Sequence, residues 1–517
     1  MSITPAEVRR ALLTRQEIAL LDLREEHPFS EAHPLFAACM ALSKLELEAY
    51  DRLPRRDVPV VLYDDGEGLV APAQDRLAKL GYRNVTALEG GLAGWRAAGY
   101  ELFRDVNSYS KAFGELVEAR RHTPSLPAPD VQALLERGAD MVVLDARRFD
   151  EYQTMSVPTG ISVPGAELVL RAAELAPDPS TTILVNCAGR TRSIIGAQSL
   201  INAGLPNPVR ALRNGTIGWK LAGQTLDNGQ SRRFGEPSPA REQTARQAAR
   251  AVAYRAGVRW IAPADLAALE RDATRTLYRF DVRTPEEYAA GHLPGFRSAP
   301  GGQLVQETDM MAPVRGSRIV LADDRRVRAD MTASWLAQMG WEVLVLEGGF
   351  DGRLESGAPR PTLPALPAAR FLTPDDLRRR LGEVTVLDLA PSPRYRAGHV
   401  PGAWFAIRAR LGDALRRSAP GGDIVLTSPD GALAQFAAPE VQAMAGRSPL
   451  VLQGGTAAWT GDLESGAVRM ASEPEDVYRR PYEGTDNPAS AMQAYLDWEF
   501  GLVAQLERDG THGFFVI

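Results

Sequence analysis

At 517 residues the chain is too long for one hydrophobic core, and 44% apolar with 24% charged residues is the make-up of an ordinary water-soluble protein, so several domains are expected. A net charge of −6 gives no reason to expect nucleic-acid or membrane binding, and no apolar run is long enough to span a bilayer. Two cysteines rule out a disulfide framework, and six scattered histidines offer no Cys/His metal cluster. With no apolar leader in the first ten residues, a cytoplasmic location is expected.

Taken in order, the expected elements fall into four copies of one unit. In the first, a strand ends at Asp22-Leu23-Arg24, with Phe29 seven residues past the aspartate and His33 eleven past it. A second apolar run, Val60-Val61-Leu62-Tyr63, leads to Asp64 and then a helical segment; a third ends in Glu89-Gly90-Gly91, with Trp95 four residues beyond. The second copy reads Asp145-Ala146-Arg147, Tyr152, Ser156, the run Ile183-Leu184-Val185-Asn186, Cys187, Arg213-Asn214-Gly215 and Trp219. The third reads Asp281-Val282-Arg283, Tyr288, His292, the run Ile319-Val320-Leu321-Ala322, Asp323 and Glu347-Gly348-Gly349, with Arg353 in the tryptophan position. The fourth reads Asp388-Leu389-Ala390, Tyr395, His399, the run Ile424-Val425-Leu426-Thr427, Ser428, Gln453-Gly454-Gly455 and Trp459. The residue after the second run stands 42 positions past the aspartate in the first three copies and 40 in the fourth.

Near-continuous apolar strands alternating with helical segments imply an α/β fold with parallel sheets. The tryptophans read as core anchors, and the Asp-x-Arg pairs as internal ion pairs or turn caps rather than catalytic groups. The pattern resembles the rhodanese (sulfurtransferase) superfamily. The third copy shows its first signature, Asp281 to Gly295; the second carries the active-site loop, Cys187 to Arg192; Glu-Gly-Gly followed by Trp is its closing motif. The resemblance implies four tandem domains over residues 1–105, 124–235, 255–360 and 367–470, each a small central parallel sheet flanked by helices. Proline-rich stretches at 124–129 and 361–367 read as stiff linkers, and 236–254 as an interdomain helix. The tail, 471–517, lies outside the repeats and suggests a loop and then an amphipathic helix packed back on a domain.

Cys187 stands between a strand and a helix start, in Cys187-Ala188-Gly189-Arg190-Thr191-Arg192. Three features are expected to lower its pKa: the helix N-terminus, a loop curled at Gly189 so that N–H groups converge on sulfur, and the charges of Arg190 and Arg192. The resemblance implies double displacement. Cys187 takes the sulfane sulfur of a donor such as thiosulfate, and the persulfide passes it to a thiol or to cyanide, with no cofactor or metal. Ala188, Gly189, Arg190, Thr191 and Arg192 form the expected substrate-binding loop, the two arginines holding sulfonate oxygens.

The other copies have lost the nucleophile, holding Asp64, Asp323 and Ser428 in its place, and are expected to be inactive. Cys39 falls in a core-like run and reads as structural, with a sulfur relay as its lesser alternative. Three further readings compete: a phosphatase or arsenate reductase, which needs an arginine where Ser193 stands; a multidomain scaffold; and a carrier passing persulfide sulfur to or from a protein partner.

Overall fold

The computed structural model describes residues 2–419 and 421–517. Each copy forms a five-stranded parallel sheet. In the second, the order is Ser125–Leu126, Val209–Leu212, Thr182–Asn186, Met141–Asp145, Ile161–Ser162. The third and fourth sheets repeat that order from Arg259–Ile261 and Arg370–Leu372. The first sheet repeats it too and gains a sixth strand, Val314–Arg315 from the third copy, antiparallel to Ile18–Asp22. No described helix is long and apolar enough to cross a membrane.

The strands are mostly apolar because helices cover both faces; all five residues of Ile18–Asp22 and all four of Val60–Tyr63 are buried. In every copy the strand ending in aspartate lies beside the strand that leads to the Cys187-equivalent position. Asp145 is opposite Asn186, for example, and Asn186 Nδ2 donates to its carboxylate at 2.9 Å. The Asp-x-Arg pairs are buried ion pairs, Arg24–Asp22 and Arg147–Asp145 at 2.7 Å and Arg283–Asp281 at 2.6 Å. Each arginine also donates to a carbonyl eight residues on, to Ala32, Met155 and Gly291. The motif thus ties the strand end to the following turn.

The histidines eleven residues past the aspartate stack on the aromatic four residues earlier, with ring centroids 4.1 Å apart for Phe29–His33 and 3.8 Å for both Tyr288–His292 and Tyr395–His399. That is a packing role, and Ser156 stands in its place in the second copy. Trp95 and Trp219 are fully buried and donate to Glu101 and Thr225 carbonyls.

The copies pair across the chain. The first meets the fourth through Arg408, which donates to Glu46 at 2.7 Å. The second meets the third through Arg328, which donates to Glu167 at 2.9 Å. The interdomain helix, Pro239–Arg255, buries Ala245, Ala249, Val252 and Ala253 and continues the core of the second copy. Between the first and second copies lies a helix the sequence pattern did not single out, Ser108–Arg121. Its first ten residues are all buried, and Tyr109 accepts from Trp341 Nε1 at 2.7 Å and donates to the Met339 carbonyl at 3.0 Å. The chain's last residues wrap the same helix, with Phe514 5.3 Å from both Tyr109 and Phe113.

Arg328 is fully buried and pairs with Asp323, Asp324, Glu167 and Glu287. Replacing it with methionine strands these carboxylates, at a cost of about 3–5 kcal/mol. A chemical-denaturation midpoint well below that of the parent protein is expected; an unchanged midpoint contradicts this account of the interface.

Candidate active site

Cys187 follows the strand Thr182–Asn186 and precedes the helix Thr191–Asn202, so it lies at the carboxyl end of the sheet, where ligands of parallel α/β sheets bind. The closing turn grips the loop from behind. Thr216 N–H donates to the Cys187 carbonyl at 2.9 Å and Ile217 N–H to the Ala188 carbonyl at 3.0 Å. Gly215 has φ +55°, and a Cβ there would stand 2.4 Å from the Cys187 carbonyl oxygen, so both conformation and space demand glycine. The Cys187 thiol donates to Ser193 Oγ at 3.3 Å, and that hydroxyl donates to the Arg190 carbonyl at 2.9 Å.

The two arginines have different surroundings. Arg190 is spent on the helix Ser108–Arg121: it forms a two-pronged pair with Glu115 at 2.7 and 2.9 Å, meets Glu118, donates to Asn214 at 3.1 Å and lies over the Phe500 ring. Arg192 forms a two-pronged pair with Glu151, both bonds 2.8 Å. Of the charges around Cys187, Arg192 does most to favour the thiolate, and the pair holds Glu151 down at about 2.

The lowered cysteine pKa expected from the sequence is reversed: the thiol is pushed above its ordinary value. Burial is the main cause, since Cys187 is 1% exposed, and Glu499 adds to it; Arg192 and the Ser193 hydrogen bonds act the other way without overcoming it. The tail helix, Ala489–Phe500, packs on the same loop. Its Tyr495 and Glu499 lie on Gly189, where a Cβ would be 3.1 Å from the tyrosine ring and 3.4 Å from the carboxylate. Gly189 is not in the left-handed region, so what calls for glycine there is this close approach rather than a positive φ. Glu499 is itself fully buried, with Oε1 accepting from Tyr495 at 2.7 Å and Oε2 unpartnered, and its carboxyl is raised to about 8 by burial first and Glu115 second.

The equivalent positions in the other copies show what the loop is built to hold. Asp64 accepts from the N–H groups two and five residues on, Gly66 at 3.1 Å and Leu69 at 2.6 Å. Asp323 accepts from the same two positions, Arg325 at 3.1 Å and Arg328 at 2.8 Å, and Arg328 adds its guanidinium at 2.9 Å. Ser428 Oγ accepts from Ala434 at 3.3 Å. Arg328 stands five residues past Asp323 and pairs with Glu287, as Arg192 stands five past Cys187 and pairs with Glu151. This repeated Arg–Glu register is a spacing present in the sequence, although the motifs alone did not point to it. Glu115, Tyr495 and Glu499 carried no such signal, because they come from segments outside the repeats.

Cys39 lies in the strand Ala38–Cys39, buried, with its thiol toward the Arg24 carbonyl at 3.6 Å and its pKa pushed well up by burial. Both cysteines are free thiols.

The profile of the rhodanese-like domain matches residues 4–98, 127–222, 263–355 and 373–462. The crystal structure of a thiosulfate sulfurtransferase from Pseudomonas aeruginosa matches over 100% of both chains, with 61% sequence identity and a TM-score of 0.99. A shorter likeness, 32% identity over 90 residues, links the chain to the HTH-type transcriptional regulator Rv0324 of Mycobacterium tuberculosis; it takes in 17% of this chain and 39% of that protein.

Glu499 sets a pH dependence. Its folded pKa of about 8 lies above the usual 4.5, so the unfolded state releases this proton first and the group's contribution to stability falls as pH rises from 4.5 to 8. Glu499→Gln is therefore expected to gain melting temperature relative to the parent as pH rises through that window. It is also expected to lower the pH midpoint for alkylation of Cys187 by iodoacetamide. A melting difference independent of pH, or a midpoint that rises, contradicts the assignment.

Proposed function

The chain belongs to the rhodanese-like domain family, and from that premise we propose that it is a thiosulfate sulfurtransferase whose chemistry runs through Cys187. The full-length match to the Pseudomonas aeruginosa enzyme carries this reading. The Cys187 thiolate attacks the sulfane sulfur of thiosulfate; a sulfur–sulfur bond forms to Cys187, the bond to the sulfonate sulfur breaks, and sulfite leaves. A thiol or cyanide then attacks the outer sulfur and returns the thiolate.

The outer sulfur is an anion, and the second copy has the seat for one. By analogy with Asp64 and Asp323, the N–H groups of Gly189 and Arg192 converge on it, with Ser193 N–H beside them. We assign the charged contact to Arg192. Arg190 is held by Glu115 and Glu118 and fastens the loop to the helix Ser108–Arg121. In the first and third copies the seat is already filled by the chain's own carboxylate, which leaves no place for a sulfur anion there; we read these, and the fourth, as structural partners of the reacting copy. The two free thiols fit a reducing compartment, and we place the activity in the cytoplasm.

Thiosulfate and cyanide give thiocyanate with the parent protein in this reading. Cys187→Ser abolishes that signal and Cys39→Ser keeps it. Thiocyanate formation that survives Cys187→Ser overturns the proposal.

A further inference from the structure

Cys187 is 1% exposed, so a donor molecule touches its sulfur only after something has moved. Most of what surrounds the loop is fixed. The closing turn holds the Cys187 and Ala188 carbonyls by backbone hydrogen bonds. The helix Ser108–Arg121 is bound to the loop by Glu115 and Arg190, and packs so closely that a Cβ on Gly114 would stand 2.8 Å from Thr191 Cγ2. It is also tied to the third copy, through Tyr109 and through Ser110 Oγ, which donates to the Gln306 carbonyl at 2.6 Å.

The stretch 481–500 is held differently. It crosses the second copy as a strap tied at both ends to the first. At one end Tyr478 Oη donates to Asp105 and Tyr478 N–H to Glu26, both at 3.2 Å. At the other, Arg508 Nε donates to Glu101 at 2.8 Å and Gln505 Nε2 to the Leu102 carbonyl at 2.9 Å. Between these ties, Met492, Tyr495 and Leu496 form one apolar cluster with Ile217 of the helix Gly215–Leu221, and Tyr495 and Glu499 lie on Gly189. Among the described residues, the one hydrogen bond from this stretch to the second copy joins Lys220 to the Thr485 carbonyl. Its hold on the helix Ser108–Arg121 is an aromatic cage. The Lys111 ammonium, paired with Asp105 at 2.7 Å, lies 5.3, 5.0 and 5.5 Å from the rings of Tyr482, Tyr495 and Trp498. Glu499 is buried with Oε2 unpartnered, which disfavours the seated position. Apolar and cation–π contacts release without breaking a backbone ladder, and lifting hydrates both Lys111 and Glu499.

We propose that residues 481–500 are a strap that lifts from the Cys187 loop to admit the sulfur donor and then settles back, with the Lys111 cage and the packing of Met492 on Ile217 as its latch. The inference rests on the sulfurtransferase reading of Cys187. It gives the first copy a task, which is to hold the two ends of the strap while the middle moves on the second copy. The loop keeps its shape throughout, because the closing turn and the helix Ser108–Arg121 hold it independently of the strap.

Iodoacetamide tests this in the full-length protein, with the rate at each cysteine read by mass spectrometry. Met492→Ala loosens the contact with Ile217. It should speed alkylation of Cys187 about tenfold, a shift of about 1.4 kcal/mol in the opening equilibrium, and leave the rate at the buried Cys39 unchanged. First-turnover sulfite release from thiosulfate should quicken with it. Hydrogen exchange checks the parent protein: amides of 489–500 should exchange through an opening in which 108–121 stays protected. An unchanged Cys187 rate, equal acceleration at Cys39, sulfite release that stays at the parent rate while alkylation quickens, or exchange of 489–500 only together with 108–121 overturns the strap and leaves the sulfurtransferase reading standing. A parent protein that releases no sulfite from thiosulfate overturns that reading, and the alkylation and exchange rates still decide the strap.

Discussion

The rest of the site depends on one arrangement: backbone N–H groups at the end of a parallel strand and the start of a helix, which in the first and third copies converge on a carboxylate. Such a nest carries partial positive charge whatever its side chains are. The first and third copies fill it with Asp64 and Asp323, whose carboxylates accept from the same two backbone positions. The third copy adds Arg328, five residues on, and uses the resulting cluster to hold the second and third copies together. In the second copy the aspartate is replaced by Cys187, and the arginine, now Arg192, keeps the pairing with a glutamate, Glu151, that Arg328 makes with Glu287. One seat thus serves as a structural anchor in two copies and, in the proposed function, as the place for a reactive sulfur anion in another.

That sulfur is kept dry. Residues 108–121 and 489–500 both pack on the loop, and Cys187 is almost without contact with solvent. Burial raises the thiol pKa, and the buried Glu499 beside it acts in the same direction. The resting protein is therefore poised toward the thiol, and Arg192 and the Ser193 hydrogen bonds favour the charged form only against that background. A persulfide, whose charge lies on the outer sulfur, meets those same groups directly in the proposed arrangement.

Much of this was legible in the sequence because it repeats. The α/β architecture, four copies, the buried Asp-x-Arg pairs and tryptophans, and the loop around Cys187 all follow from a register kept over 42 residues in three copies. The structure adds why it holds: Gly215 can be nothing larger, since it rests on the carbonyl of Cys187. What was not legible lies in the non-repeated segments. Residues 108–121 have no internal counterpart to mark them, yet Glu115 takes Arg190. The tail helix gave only an apolar face, without a sign that the face would be Tyr495 and Glu499 on Gly189. Charge alone suggested a lowered thiol pKa; burial, a long-range property, outweighs Arg192.

The central claim is that the seat filled by a carboxylate in two copies is the seat of the transferred sulfur in the second. The most direct measurement is a crystal structure of the protein after thiosulfate treatment. One extra sulfur is expected on Cys187, hydrogen-bonded by the N–H groups of Gly189 and Arg192, at the place the Asp323 carboxylate takes when the third copy is superposed on the second. A Cys187 left unmodified, or an added sulfur turned away from those N–H groups, would contradict it.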